Sequence, residues 1–303
     1  MQALRESLLA WYAERGRSHL PWRGSRDPYH IIVSEFMLQQ TQVERVLEAY
    51  PRFIERFDSF RALAAAERAD VVRAWKGLGY NLRAVRLHEL AKAVVERHAG
   101  VLPSDKPSLR TLPGIGPYTV AAVRAFAFEC DDAAIDVNVR RIVHRLRFGF
   151  EYPPKANATE IDSTARALLA RGRAYDWNSA LMDLGATICT ARAPKCGECP
   201  LRPWCAAAPL SAETVAEAAR EHLQTKRRGP QAVLPFEQTR RYARGRVLDR
   251  LREIAPGTKL SERDLEATLA GNGALQRYPL SDILSGLERD GFVSRDESGI
   301  SLR

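Results

Sequence analysis

Hydrophobic residues recur along this chain at helical spacing. Leu4, Leu8, Leu9 and Tyr12 fall on one side of a helix. So do Val43, Val46, Leu47 and Tyr50, and later Leu82, Val85, Leu90 and Val94. The two-residue alternation that marks strands is nearly missing before residue 230. Pro28 and Pro51 read as helix starts, Ser104-Asp105 as another, and Gly77 with Gly79 as a turn. The pattern predicts an all-α body to about residue 210. From Ala206 to Glu237 the character changes: an Ala-rich stretch, then Lys226-Arg227-Arg228 and Gly229-Pro230, which reads as a linker over 211–238. Beyond it, Arg240–Arg252, Ser261–Leu269 and Leu280–Asp290 predict helices. Phe292-Val293-Ser294, a turn at Asp296–Gly299 and Ile300-Ser301-Leu302 then predict a small hairpin.

Three helices and a hairpin over 239–303 resemble a winged-helix module. At 303 residues the chain can hold two or three compact units, and 45% hydrophobic residues suffice for sizeable cores. A formal charge of +9 favours a polyanionic partner. No apolar run is long enough to span a bilayer. The stretch Met1–Trp11 is amphipathic and carries Arg5 and Glu6, unlike a secretory signal. These features predict a cytoplasmic protein, and the lack of a heptad or swapped element predicts a monomer.

Of five cysteines, Cys189, Cys196, Cys199 and Cys205 lie in one run spaced C-x6-C-x2-C-x5-C. Pro200 and Pro203 keep that run from continuing the preceding helix. Zinc usually takes two C-x2-C clips separated by a longer finger. Only one clip occurs here, flanked by single cysteines, which suits a four-cysteine [4Fe-4S] cluster; zinc, disulfides or free thiols are the alternatives. A cysteine cluster without a disulfide framework also fits a reducing compartment. Cys130, in the apolar run Ala125–Cys130, reads as a buried core thiol.

Leu112-Pro113-Gly114-Ile115-Gly116-Pro117-Tyr118-Thr119 joins two helices through two glycines, Gly114 and Gly116. Such a turn lets backbone N–H groups approach a phosphate, although an ordinary helix–helix turn would read the same way. Glu35 stands between Ile31-Ile32-Val33 and Phe36-Met37-Leu38, where desolvation would raise its pKa; a helix-surface glutamate is the plainer reading. Asp136, in Ala133-Ala134-Ile135-Asp136-Val137-Asn138-Val139-Arg140-Arg141, reads as a helix N-cap or as a second functional acid. Two acids in dissimilar settings are how glycosidic bonds are usually broken.

Taken together these segments resemble the helix-hairpin-helix DNA glycosylase superfamily, and within it the MutY family of adenine DNA glycosylases. The resemblance rests on Leu20-Pro21-Trp22-Arg23, Asp27-Pro28-Tyr29, Ser34 through Gln42, Gly77-Leu78-Gly79-Tyr80 and Leu112 through Thr119. Asp136 through Arg141 and Leu181 through Cys189 complete it, over roughly residues 8–207. It implies a two-lobed fold in residues 1–210: a central six-helix lobe over about 25–133, and an iron–sulfur lobe of the N-terminal helix with 134–210. It also implies base excision repair of a mispaired adenine in double-stranded DNA. Glu35 would protonate N7 of the flipped base, Asp136 would steady the cationic sugar, and Asn138 would position Asp136. Gln40 and Tyr80 would wedge into the duplex, Arg23 would lie near the base pocket, and Gly114 and Gly116 would meet the backbone. Where the superfamily's lyases carry lysine this chain has Tyr118, so the resemblance implies a monofunctional enzyme.

The chain departs from the family in two places. Val137 replaces the glycine of the usual D-G-N. Nothing after Glu237 resembles the C-terminal domain by which many adenine glycosylases sense 8-oxoguanine. Removal of adenine opposite guanine or 8-oxoguanine leads. A mismatch thymine or uracil glycosylase and a non-catalytic DNA-binding iron–sulfur protein are the alternatives. Arg83, Arg86, Arg140, Arg141 and Arg145 read mostly as solvated helix faces, and His88 and His144 as structural.

Overall fold

The computed structural model describes residues 1–151, 154–208, 211, 213–214, 217–218, 220–221, 234–269 and 273–303. The linker expected over 211–238 lies for the most part outside these residues. In chain order the helices are α1 (Gln2–Arg15), α2 (Pro28–Leu38), α3 (Val43–Arg56), α4 (Phe60–Ala65), α5 (Arg68–Ala74) and α6 (Leu82–His98). Then come α7 (Lys106–Arg110), α8 (Pro117–Ala127), α9 (Val137–Arg147), α10 (Ala158–Leu168) and α11 (Ala174–Thr187). The C-terminal segment adds α12 (Arg240–Glu253), α13 (Glu262–Thr268), α14 (Gly273–Arg277), α15 (Leu280–Arg289) and the strands β1 (Val293–Asp296) and β2 (Gly299–Leu302). The expected all-α body and small terminal hairpin are both present.

The chain divides into two compact units. One comprises Met1–Ile31, Ser104–Arg110 and Ile115–Pro230; the other comprises Ile32–Pro103, Thr111–Gly114 and Gln231–Arg303. In the first unit, α1 buries Leu4, Leu8 and Leu9 against Val139, Ile142, Trp177, Leu181 and Leu184 of α9 and α11. Each fully buried side chain of this kind contributes about 1.5–3 kcal/mol. The helix ends are set locally. Asp136 caps α9 through its carboxylate, and Asn157 with Glu160 forms a reciprocal capping box on α10.

In the second unit α6 buries Val85, Leu87, Leu90 and Val94. It ends at Ala99, whose left-handed backbone returns its N–H to Val94 O. Pro51, expected at a helix start, lies inside α3. Its missing N–H and ring cost about 3 kcal/mol. Burial of Val46, Ala49, Tyr50 and Phe53 on one face of α3 outweighs that cost, so the helix runs through.

The C-terminal segment belongs to this second unit. Val247, Leu248, Leu251, Leu265, Ile283, Leu284, Leu287, Phe292 and Ile300 form one core with Val72 of α5 and Val85 of α6. β1 and β2 pair antiparallel, Val293 opposite Leu302 through Asp296 opposite Gly299, and Leu260 bridges to Ile300. The expected helices appear as α12, α13 and α15; α14, a helix of five residues, was not expected from the sequence.

Candidate functional site

In the first unit, the N-terminus of α9 fixes Asp136. Its Oδ1 accepts from Val139 N at 2.7 Å and its Oδ2 from Asn138 Nδ2 at 2.9 Å. The N-cap reading and the functional reading are therefore compatible: one oxygen caps the helix and the other meets the Asn138 amide. Asn138 is held in turn. Its Oδ1 accepts from Arg141 Nη2 at 3.0 Å, and Arg141 also donates to Gly185 O and, through Nε, to Cys189 O, both at 2.9 Å. A continuous hydrogen-bonded path thus runs from the first cysteine of the loop to the Asp136 carboxylate. Gly185 makes room for it, since a Cβ there would stand 2.8 Å from Asn138 Cβ. Val137, in place of the family's glycine, is 76% exposed, so its side chain burdens no packing.

The four loop cysteines carry no disulfide and are partly buried. With Ile188, Pro194 and Ala207 they ring one cavity of about 30 Å³. Arg145 braces this loop: it pairs with Glu151 through two 2.6 Å hydrogen bonds and donates to Thr190 O at 2.7 Å, and its Nη1 lies 3.6 Å from Cys189 Sγ. Burial, followed by repulsion from the neighbouring cysteines, raises Cys196 and Cys205, and burial pushes Cys199 up to about 12. Sulfurs so crowded are poor anions unless positive charge shares their site, the condition that metal ligation meets. Among the described residues no group of three or more His, Cys, Asp or Glu side chains is arranged around a single metal ion. A ring of four cysteines fits a polynuclear cluster better than one ion. Cys130, expected in the core, is partly exposed instead. The chain turns at Glu129 (φ 51°) just past α8, carrying Cys130 out of the helix's buried face.

Arg23 is held within the first unit. Its guanidinium donates to Ser179 Oγ and to Asp183 Oδ1, and Asp183, wholly buried, also pairs with Arg17 at 2.8 Å. Arg23 Nε is buried without a hydrogen-bond partner. Gly116 takes extended backbone and caps α8, and Tyr118 lies half-buried in that helix's first turn.

In the second unit Glu35 is only 7% exposed, on the apolar face of α2 expected from its neighbours. Gly114 adopts φ 77°, and a Cβ there would press 2.8 Å from Phe36 Cζ, so glycine is required on both counts. Gln40 (φ 55°) and Tyr80 (φ 45°) both hold left-handed backbone, which costs on the order of 1 kcal/mol or more for a non-glycine residue. Arg83 holds them there. Its guanidinium donates to Phe36 O and Met37 O at 2.8 Å, to Leu78 O and Gly79 O at 3.1 Å, to Gln39 O, and to Thr41 Oγ1 at 2.8 Å. Burial lowers its pKa to about 10, so it stays charged at neutral pH. Arg83 and Arg145, expected on solvated faces, are thus buried at 7% and 3% exposure. Of the other arginines expected on solvated faces, Arg86 is exposed, whereas Arg140, paired with Asp162 at 2.9 Å, and Arg141 are half-buried. With 46 lysines and arginines in the chain, no one of them announced itself in the sequence.

The helical hairpin, the capped aspartate and the cysteine ring define a class. Residues 33–171 match the HhH-GPD superfamily of base excision DNA repair proteins, and residues 189–205 match the iron–sulfur binding domain of endonuclease III. The chain is 39% identical over 295 residues to the adenine DNA glycosylase of Mycolicibacterium smegmatis, covering 96% of this chain and 93% of that one. It is 46% identical over 202 residues to that of Mycobacterium tuberculosis, 66% of each chain. The protein belongs to the adenine DNA glycosylase family. Among solved structures, that of a thermostable thymine-DNA glycosylase aligns with a TM-score of 0.63 at 31% identity, covering 69% of this chain and 96% of the other. The residues present fit the iron–sulfur cluster that the family match implies.

Proposed function

We propose that this protein is a monofunctional DNA glycosylase of base excision repair. It hydrolyses the N-glycosidic bond of adenine mispaired with guanine or 8-oxoguanine in double-stranded DNA. The observation that carries this reading is the Asp136 carboxylate, oriented by Asn138 at the start of α9, in a chain of this family. The target nucleotide leaves the stack, since its bond is out of reach inside the duplex. Glu35, only 7% exposed on α2, delivers a proton to N7. The C1′–N9 bond breaks with its electron pair leaving on adenine, while Asp136 stabilises the positive sugar. Water adds to C1′ and loses a proton, leaving an abasic site.

Tyr118 offers no amine for a Schiff base, so borohydride should trap no appreciable enzyme–DNA adduct. Gln40 and Tyr80 enter the duplex, the Gly114–Gly116 turn meets a phosphate, and Arg23 offers its free Nε near the base. A bound cluster would fix the fold of the Cys189–Cys205 loop and adds no step to a hydrolysis. Residues 1–210 carry the chemistry, and the segment from 239 is an added module. The protein acts as a monomer on the nucleoid in the cytoplasm; no helix among the described residues is long and apolar enough to cross a membrane.

Single-turnover cleavage of duplexes carrying A·8-oxoguanine, A·G, T·G or U·G tests the reading, with wild type beside Glu35→Gln and Asp136→Asn. Adenine excision should fall about 10²–10⁴-fold in each variant. Activity retained in either would remove the paired-carboxylate mechanism, and faster cleavage of T·G than of either adenine pair would replace the substrate.

A further inference from the structure

The segment Glu129–Asp136 carries the chain from the end of α8 to the acid at the start of α9, with no helix or strand of its own. Its backbone groups must therefore find partners elsewhere in the first unit. Asn178 on α11 supplies the central ones. Its Oδ1 accepts from Ala134 N at 2.8 Å, and its Nδ2 donates to Asp132 O at 2.9 Å. One amide thus meets the carbonyl and the N–H on either side of Ala133, as a neighbouring strand would. A second donation from Nδ2, to Ala174 O at 2.7 Å, fixes which way the amide faces. Turned over, its oxygen would confront two carbonyls. Asn178 is 1% exposed, and Trp177, Ser179 and Ala180 beside it are as deeply buried, so the amide stands on a close-packed platform.

The segment is also tied upstream. Asp131 Oδ1 accepts from Gly172 N at 2.8 Å, and the Asp132 carboxylate pairs with Lys106 at 2.5 Å and with Arg124 at 2.6 Å. Asp131 and Lys106 are exposed, so water can replace those ties at little cost. The Asn178 amide is the buried tie. It also acts close to the acid, since Ala134 and Asp136 are two residues, at most about 7 Å, apart along the chain. Asn138 and Arg141 set how the Asp136 carboxylate is turned. Asn178 sets where the backbone that carries it lies. A misplacement of about 1 Å at a reacting centre can cost about 10²-fold in rate.

We infer that Asn178 is a positioning residue for excision. It holds the backbone at Ala134 and, through it, the distance at which Asp136 meets the sugar of the extruded nucleotide. The inference rests on the glycosylase reading of Asp136.

The test uses the cluster-loaded full chain and whichever of the A·8-oxoguanine, A·G, T·G and U·G duplexes wild type cleaves fastest. Stoichiometric titration with a duplex bearing an uncleavable abasic analogue counts binding-competent protein, and the single-turnover rate constant at saturating enzyme reads excision. Asn178→Ala should keep its titre and iron content within about twofold of wild type and slow excision about 10–50-fold. Asn157→Ala, which breaks the capping box of α10, should lose stability and keep the rate constant. Asn178→Asp gives a second readout. Neutral, its carboxyl can accept from Ala134 N and donate to one of the two carbonyls; ionised, it can only accept. Burial raises the pKa of a carboxyl, so the variant's rate constant divided by that of wild type should climb as pH falls from about 8 to about 5.5. An asparagine that merely stabilised the fold would lower the titre or the unfolding midpoint and move neither the rate constant nor that ratio. An Asn178→Ala rate constant within twofold of wild type, or an Asn178→Asp ratio that stays low at every pH, would overturn the inference. Should Asn178→Ala fail to fold, the Asn178→Asp ratio decides alone. A wild type that excises no base from any of the four duplexes would instead sink the glycosylase reading, and the role of Asn178 with it.

Discussion

Arg145 in the first unit and Arg83 in the second each gather loop carbonyls around a buried guanidinium, but only Arg145 has a carboxylate beside it. Burial works against charge on Arg145, yet Glu151 and Cys189 outweigh it and shift its pKa upward. Arg83 meets carbonyls, a hydroxyl and the Trp75 and Tyr80 rings but no carboxylate, and burial lowers its pKa to about 10. The first unit thus gives its buried acids partners: Asp183 has Arg17 and Arg23, Asp136 has Asn138 and a backbone N–H, and Glu151 has Arg145. The second unit leaves charge and strain uncompensated around Gln40 and Tyr80, where the Arg241 guanidinium lies over the Tyr80 ring. A unit that holds a cluster loop and an acid in fixed geometry gains from acids that are paired. A unit that admits a polyanion gains from charge still in search of a partner.

Removing each clamp should separate the two designs most sharply. Arg145→Met leaves Glu151 buried without its cation and should cost about 3–5 kcal/mol in urea unfolding, with iron lost from the purified protein. Arg83→Met should cost slightly less, about 2–4 kcal/mol for carbonyls left unpaired, with iron content unchanged and duplex binding weakened. Loss of iron from both variants would break the comparison.

The path from Cys189 to Asp136 gives the next largest effect. Asn138→Ala frees the Asp136 carboxylate while keeping the α9 cap, so excision should fall about 10²-fold, near 2.7 kcal/mol, with unfolding shifted by less than about 1 kcal/mol. Arg141→Ala, one step further back, should slow excision less. Equal rates for wild type and Asn138→Ala would show that Asp136 needs no such orientation.

The hairpin tests strain with two glycines. Gly114→Ala places a methyl in left-handed backbone and against the Phe36 ring, and should destabilise by about 1–3 kcal/mol. Gly116→Ala meets open space at ordinary φ and should leave stability within about 0.5 kcal/mol. Any loss of duplex affinity in Gly116→Ala then reports close approach of a ligand to the backbone rather than folding.

What the sequence made legible follows from this physics. Periodicity showed the helices because burial of one face, as in α1 and α6, is what forms them. The cysteine ring and Gly114 were readable because ligand spacing and left-handed backbone restrict residue type. Asp136 could be marked but not interpreted, since capping and catalysis ask for the same side chain in the same place. Arg83, Arg141 and Arg145 were hidden, because a buried clamp and a solvated arginine are written with the same letter. Only the carbonyls, carboxylates or ring placed around each distinguish them. Pro51 misled for a related reason: its local cost is certain, while the burial that offsets it comes from residues elsewhere in the fold.

Two buried histidines extend the contrast to pH. In the first unit His144 is bonded at both ring nitrogens, to Gly149 O and to Lys155 N, each at 3.0 Å. In the second unit His88 on α6 is fully buried, and contacts with the backbone of Ala64 and Ala66 offset that burial only in part. Burial, then the positive charges of Lys92 and Arg68, lower its pKa from 6.5 to about 4. A histidine kept neutral in the fold and free to protonate once unfolded contributes stability that is complete above about pH 6.5 and lost as pH falls toward 4. Between pH 7 and pH 5.5 that loss should be about 1 kcal/mol. His88→Leu should remove this part of the slope in urea unfolding measured at the two pH values. A slope unchanged in that variant would place the acid sensitivity elsewhere and remove His88 from the set of uncompensated groups that distinguishes the second unit.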